Sequence, residues 1–107
     1  MEVYEINWLV AKATGRNPCP KLDNRLRVIT GDGFVFGSPA TQWDDCGRLI
    51  SRYSVTFDQL NDRSWECSAT IDGRTAYGRG KDHLQAACMA IINLELADPQ
   101  LPRGLTA

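Results

Sequence analysis

Few stretches of this chain gather residue types that could do chemistry, and the densest is Gly78-Arg79-Gly80-Lys81, followed by Asp82 and His83. Glycines let a backbone approach a ligand, two cations attract an anion, and the free N–H groups at a helix start do the same. Yet the spacing of a phosphate loop, G-x-x-x-x-G-K-[ST], is missing, and Asp82 sets a carboxylate where a phosphate would sit. Two readings of the run stay open. It is an anion or partner site formed by Arg79, Gly80, Lys81 and His83, or a glycine corner carrying two solvated cations. His83 is the single imidazole. No Ser, Cys or Asp can be set beside it from spacing, so it is expected exposed in the first turn of a helix rather than catalytic.

A second cluster is Asp44-Asp45, beside Trp43, with Arg48 one turn on. Adjacent acids on a helix diverge by about 100°, which argues against joint acid–base work. They read instead as a solvated face near the positive end of the helix, Arg48 pairing with Asp44, and as a candidate partner patch. The four cysteines, Cys19, Cys46, Cys67 and Cys88, stand far apart with no C-x-x-C pair. That argues against zinc, and no metal or other cofactor is expected. Cys46, Cys67 and Cys88 fall on apolar faces and read as buried, reduced thiols, with a disulfide pair the lesser alternative. Trp8, Trp43 and Trp65 lie on or beside packing stripes and are expected in the core. No convergent catalytic set emerges, so the expectation is a protein that is not an enzyme.

The elements that must position these residues are legible in the pattern. Trp65, Cys67, Ala69 and Ile71 alternate with Ser64, Glu66, Ser68 and Thr70, the period of a half-buried strand. Asp72-Gly73 suits a two-residue hairpin, and Arg74 to Gly78 then returns antiparallel with Tyr77 as its large side chain. Asp82 is placed as the N-cap of a helix running to Leu96, with Gln85 three residues on. Between Leu84 and Leu96 only Gln85, Asn93 and Glu95 are polar, so this helix must be covered on more than one side. Either other helices of the chain cover it or a second subunit does, and a homodimer is the expectation.

Upstream, Ile6, Leu9, Val10 and Ala13 repeat at helical spacing with Gly15 placed to end the helix. Pro18 and Pro20 mark a loop. Leu26 to Thr30 and Phe34 to Phe36 read as a hairpin about Gly31-Asp32-Gly33. Ser38-Pro39 reads as a helix start, with Trp43, Cys46, Gly47, Ile50 and Tyr53 on one packing face. Ser54 to Leu60 alternates as a strand, and Asn61 to Arg63 turns into the next. After Ala97, Asp98-Pro99 ends the last helix, leaving residues 98–107 as a loose tail. The order is α-β-β-α-β-β-β-α. This is an α+β fold in which an antiparallel meander packs against helices.

At 107 residues the chain fits one domain, residues 1–107. A net charge of −1 and a pI near 5.7 argue against nucleic acid or an acidic membrane as partner. The strand, basic corner and alanine-rich helix imitate a double-stranded-RNA-binding domain, but the helix after Asp82 carries no Lys or Arg to hold a phosphate backbone. No apolar run reaches the ~20 residues that cross a bilayer. Met-Glu-Val-Tyr-Glu lacks the basic and apolar parts of a secretory signal.

Scattered words of the sequence resemble the NinX-like small phage proteins, similar in plan to the phage ABA-sandwich domain. They are Ser38-Pro-Ala-Thr-Gln-Trp43, Gly47-Arg-Leu-Ile50, Trp65, the glycine corner, and Leu84-Gln-Ala-Ala-Cys-Met-Ala-Ile91. The resemblance runs from about Glu5 to Leu96, and it departs at Asp44-Asp45-Cys46-Gly47, where relatives often continue with a Gly-Gly-Pro-like stretch. It carries over no catalytic residue. It implies a phage or prophage accessory protein in the host bacterial cytoplasm. Two functional classes follow: a non-enzymatic protein that binds a host or phage protein and inhibits a host defence, or a sponge for a small anionic ligand such as a nucleotide, with Gly78 to His83 as its anion end.

Overall fold

A computed structural model describes residues 1–105. Helix α1 spans Val3–Ala13, α2 Trp43–Arg52 and α3 His83–Glu95; strands β1 Thr56–Gln59, β2 Trp65–Ile71 and β3 Arg74–Gly80 form the sheet. The strands pair antiparallel in the order β1-β2-β3. The expected α+β meander is what forms. Asp72 and Gly73 both take positive φ, 50° and 76°, which is the mirror-image turn that a right-twisted hairpin needs.

The chain's apolar girth is gathered around α3. Asp82 caps it as expected, its Oδ1 accepting from the Gln85 N–H at 2.9 Å. Ala86, Ala87, Cys88, Ala90, Ile91 and Ile92 are fully buried. The sheet lies under one side of α3, and α1 and α2 pack against others. A helix apolar nearly all round is therefore satisfied inside one chain. Of the apolar circumference behind the expectation of a homodimer, Ala86 to Cys88 and Ala90 to Ile92 are covered within the chain, while Met89, Leu94 and Leu96 are only partly buried.

Two glycines make the helix–sheet contact close. A Cβ on Gly78 would lie 2.1 Å from the Ala90 nitrogen, and one on Gly80 2.6 Å from the Ala86 nitrogen. Both positions belong to β3, which runs to Gly80 rather than stopping at Gly78. The small residues of α3 meet the missing side chains of β3, so backbone packs nearly on backbone.

The N-terminal third departs from expectation. Leu26 to Phe36 makes a hairpin-like turn but no strands, only the isolated bridge Ile29↔Val35 and a second, Pro18↔Thr30. Leu26 sits at φ 60° and Gly37 at φ 101°, so extended backbone cannot run past either end. Thr30 and Phe36 donate inward to Phe34 and Val28 at 2.9 Å each, and a ladder this short ends there. The helix expected from Ser38 is also late. Residues 38–41 form a separate turn, with Thr41 and Gln42 donating to the Ser38 carbonyl, and α2 begins at Trp43.

A buried asparagine holds that turn. Asn7, on the core side of α1, donates from Nδ2 to Ser38 Oγ at 2.9 Å and accepts from the Ala40 N–H at 3.0 Å. The C-terminal segment is not loose as far as it is described. Leu105 is buried in the core and Leu101 packs against it, while residues 106 and 107 lie outside the described residues.

Candidate functional site

Strand period and register decide what the glycine corner offers. Trp65, Cys67 and Ala69 of β2 face α3, as do their cross-strand partners Gly80, Gly78 and Ala76. The residues between them must face away, so Arg79 stands opposite Glu66 on the outer face and pairs with it at 3.0 Å. The outer face carries Ser68, Thr70, Thr75 and the exposed Tyr77. Arg79, Gly80, Lys81 and His83 are thus dispersed. Arg79 is an outer-face ion pair, Gly80 lies under α3, Lys81 is exposed, and His83 goes elsewhere.

His83 is half-buried among three aromatic rings, not exposed. It is the first residue of α3, as Trp43 is of α2, and both helix starts lie over the same end of the sheet. The imidazole centroid is 5.4 Å from Trp43, 5.9 Å from Trp65 and 6.2 Å from Phe57. Phe57 meets Trp65 edge-on at 6.4 Å. These four side chains alone line a recess of about 280 Å³. Trp43 forms its outer wall and is 55% exposed.

The expectation of Trp43 in the core therefore fails. Trp43 shares a stripe with Cys46, Ile50 and Tyr53, but the stripe runs off the end of the core. Cys46 and Tyr53 are fully buried, and one turn earlier there is only the edge of the sheet to lean on. Trp8 is buried with its Nε1 donating to the Cys19 carbonyl at 2.8 Å, and Trp65 is half-buried. Sequence could have suggested the recess through one signal. Phe57, opposite Cys67, and Trp65 share the helix-facing side of the sheet, next to the residue that starts the helix.

The acidic cluster is also taken apart. Asp44 and Arg48 form no ion pair. Asp45 instead turns back to accept the Ser38 N–H at 2.9 Å. Arg48 and Asp45 line a different recess from the aromatic one, while Asp44 stays exposed beside Trp43.

Among the cysteines, Cys46, Cys67 and Cys88 are buried as expected and all four are free thiols. They come from α2, β2 and α3 and lie near one another in the core. Burial pushes the Cys67 thiol up to about 11. Hydrogen bonding with Cys46 and burial hold Cys88 well above the ordinary thiol range. Such thiols are protonated and poor nucleophiles at neutral pH. Among the described residues no group of three or more His, Cys, Asp or Glu is arranged to hold a metal.

The family model of bacteriophage P22 NinX matches residues 1–94. The chain belongs to the NinX family. No curated protein matches it. A solved phage protein from Bacillus cereus ATCC 14579 shares the fold, with a TM-score of 0.59 and 16% identity over 86% of this chain and 90% of that one. The NinX match takes in α1, α2, the sheet and nearly all of α3, and with them the whole aromatic recess. No helix among the described residues is long and apolar enough to cross a membrane.

Proposed function

We propose that this NinX-family phage protein is an accessory protein of the infected bacterial cytoplasm. It acts without catalysis, by holding a host or phage protein against the recess of Trp43, Phe57, Trp65 and His83. The observation that supports this most is the exposure of Trp43. A tryptophan 55% exposed at the wall of an otherwise aromatic recess is the kind of residue that carries binding energy when a partner covers it. The recess suits a partner side chain rather than a reaction. It holds one imidazole, and no second acid, base or nucleophile lines it. A bacterial defence protein is the partner class to test first, because inhibition of such a protein needs only a tight contact.

The experiment is purification of the tagged protein from infected cells, followed by native mass spectrometry. The wild type is expected to carry a stoichiometric protein partner. Trp43→Ala is expected to lose it while melting within a few degrees of the wild type, since an exposed ring contributes about 1 kcal/mol or less to folding. Arg79→Ala, on the outer face, is expected to keep the partner. Retention of the same partner by Trp43→Ala and by His83→Ala would exclude this recess as the interface.

A further inference from the structure

A second recess, of about 360 Å³, lies between α2 and the N-terminal turn, and it shares no lining residue with the aromatic one. Three distant parts of the chain meet there. Arg16 comes from the segment just after α1, Phe34 and Phe36 from the turn, and Asp45, Arg48 and Leu49 from α2. Its backbone setting is firm at Arg16. The Arg16 N–H donates to the Ala11 carbonyl at 2.9 Å and the Gly15 N–H to Lys12 at 3.2 Å, the paired bonds that lock a helix end.

Neither Arg16 nor Arg48 makes an ion pair among the described residues; the ion pairs there are Arg27–Asp23, Arg74–Glu95 and Arg79–Glu66. Two guanidiniums without carboxylate partners at one opening offer forked donors to a phosphate or carboxylate. Asp45 is the one carboxylate lining the recess, and its Oδ2 is already engaged by the Ser38 N–H. Asp32, close to Arg16, accepts from the Thr30 hydroxyl and lies outside the lining of the recess, so it draws on Arg16 without closing the opening. Beside the cations stands apolar surface with no fold-level reason to be open. Phe34 is 70% exposed, while Phe36 and Leu49 are partly buried behind it. A flat ring stacked on Phe34 would cover it, and the volume falls at the small-ligand end of ordinary binding pockets.

We propose that this recess binds a planar aromatic anion of the nucleoside monophosphate type. The phosphate is held by Arg16 and Arg48, and the ring lies along Phe34, Phe36 and Leu49. Nucleic acid chains fit the site less well. Two cations facing Asp45, on a chain of net charge −1, cannot track an extended phosphate backbone.

The test is an amide NMR titration of the whole protein with AMP, GMP, CMP and UMP, and with inorganic phosphate alone. At least one monophosphate is expected to shift the signals of Arg16, Phe34 and Arg48 and to bind about tenfold tighter than phosphate. Arg16→Gln and Arg48→Gln are each expected to weaken that binding about tenfold or more. Phe34→Ala is expected to weaken the nucleotide while leaving phosphate binding as it was. All three side chains are exposed, so melting temperatures are expected to hold, and Arg79→Gln is expected to change nothing. The proposal is overturned if no monophosphate shifts these signals, if binding survives both arginine substitutions, or if a short single-stranded oligonucleotide binds more tightly than every monophosphate.

Discussion

A methyl group on Gly78 would sit 2.1 Å from the backbone nitrogen of Ala90, and backbone cannot step aside as the end of a flexible side chain can. Gly78→Ala must push α3 off the sheet, and the expected loss is about 3 kcal/mol or more. Gly47, inside α2, has nothing within 4 Å of where its Cβ would be. There Gly47→Ala is expected to stabilise by about 0.5–1 kcal/mol, the helix propensity of alanine over glycine. Chemical denaturation of the two variants checks both signs. A Gly78→Ala protein as stable as the wild type would mean that β3 and α3 are further apart than described. The same comparison separates the two meanings of the glycine corner, since an anion loop would tolerate alanine at Gly78 far better than a helix–sheet contact does.

At the scale of elements, α3 is the part everything else covers, and α2 is the part that overhangs. Ile92 is fully buried on α3, so Ile92→Glu is expected to unfold the protein rather than to release a folded subunit. Circular dichroism and sedimentation together read the outcome. A folded, smaller species would show a homodimer through this helix. The overhang of α2 follows from its late start. The turn at Ser38 to Thr41, pinned by Asn7 and by Asp45, uses the residues that would otherwise have formed its first turn. Trp43 is left as the first helical residue, beyond the layer that buries Cys46.

At the scale of the whole molecule, three thiols, Cys46, Cys67 and Cys88, are buried in the layer between α2, β2 and α3, and this sets a response to alkali. Cys67 is held up to about 11 by burial, against 9.0 for a free thiol. A thiol whose pKa is raised in the fold contributes in full below the unfolded value, and that contribution is lost as pH rises through the folded one. Folding stability is therefore expected to fall between pH 9 and pH 11, with Cys67 accounting for about 2 kcal/mol at the upper end. Tyr53, raised by burial and then by the charge of Glu95, adds to the fall above pH 10. Urea denaturation across this range checks the slope, and Cys67→Ala is expected to make it shallower between pH 9 and 11, the fall that stays there belonging to Cys88 and, above pH 10, to Tyr53. An unchanged slope in that variant would place the thiol in contact with water.

The sequence by itself determined the parts whose forces are local. Asp72-Gly73 can hardly do anything but turn, alternation from Trp65 to Ile71 makes a one-sided strand, and Asp82 with its apolar run starts and sustains α3. The family was legible too, because its words fall on those same segments. What only the tertiary structure decided is which ends of these elements meet. His83, Phe57, Trp65 and Trp43 are up to 40 positions apart, and their contact depends on both helices beginning over one edge of the sheet. The dispersal of Arg79 from His83 was within reach of the strand period, had β3 been carried two residues further to Gly80. The meeting of Arg16 with Arg48 and Phe34 was not. It rests on a turn with almost no ladder of its own, tied to the backbone of residues 17–19, where the Cys19 N–H donates to Ile29 and the Gly31 N–H to Asn17. Local patterns fix an element because each residue's neighbours supply the force, whereas a site is fixed by packing between elements, and no single segment carries that information.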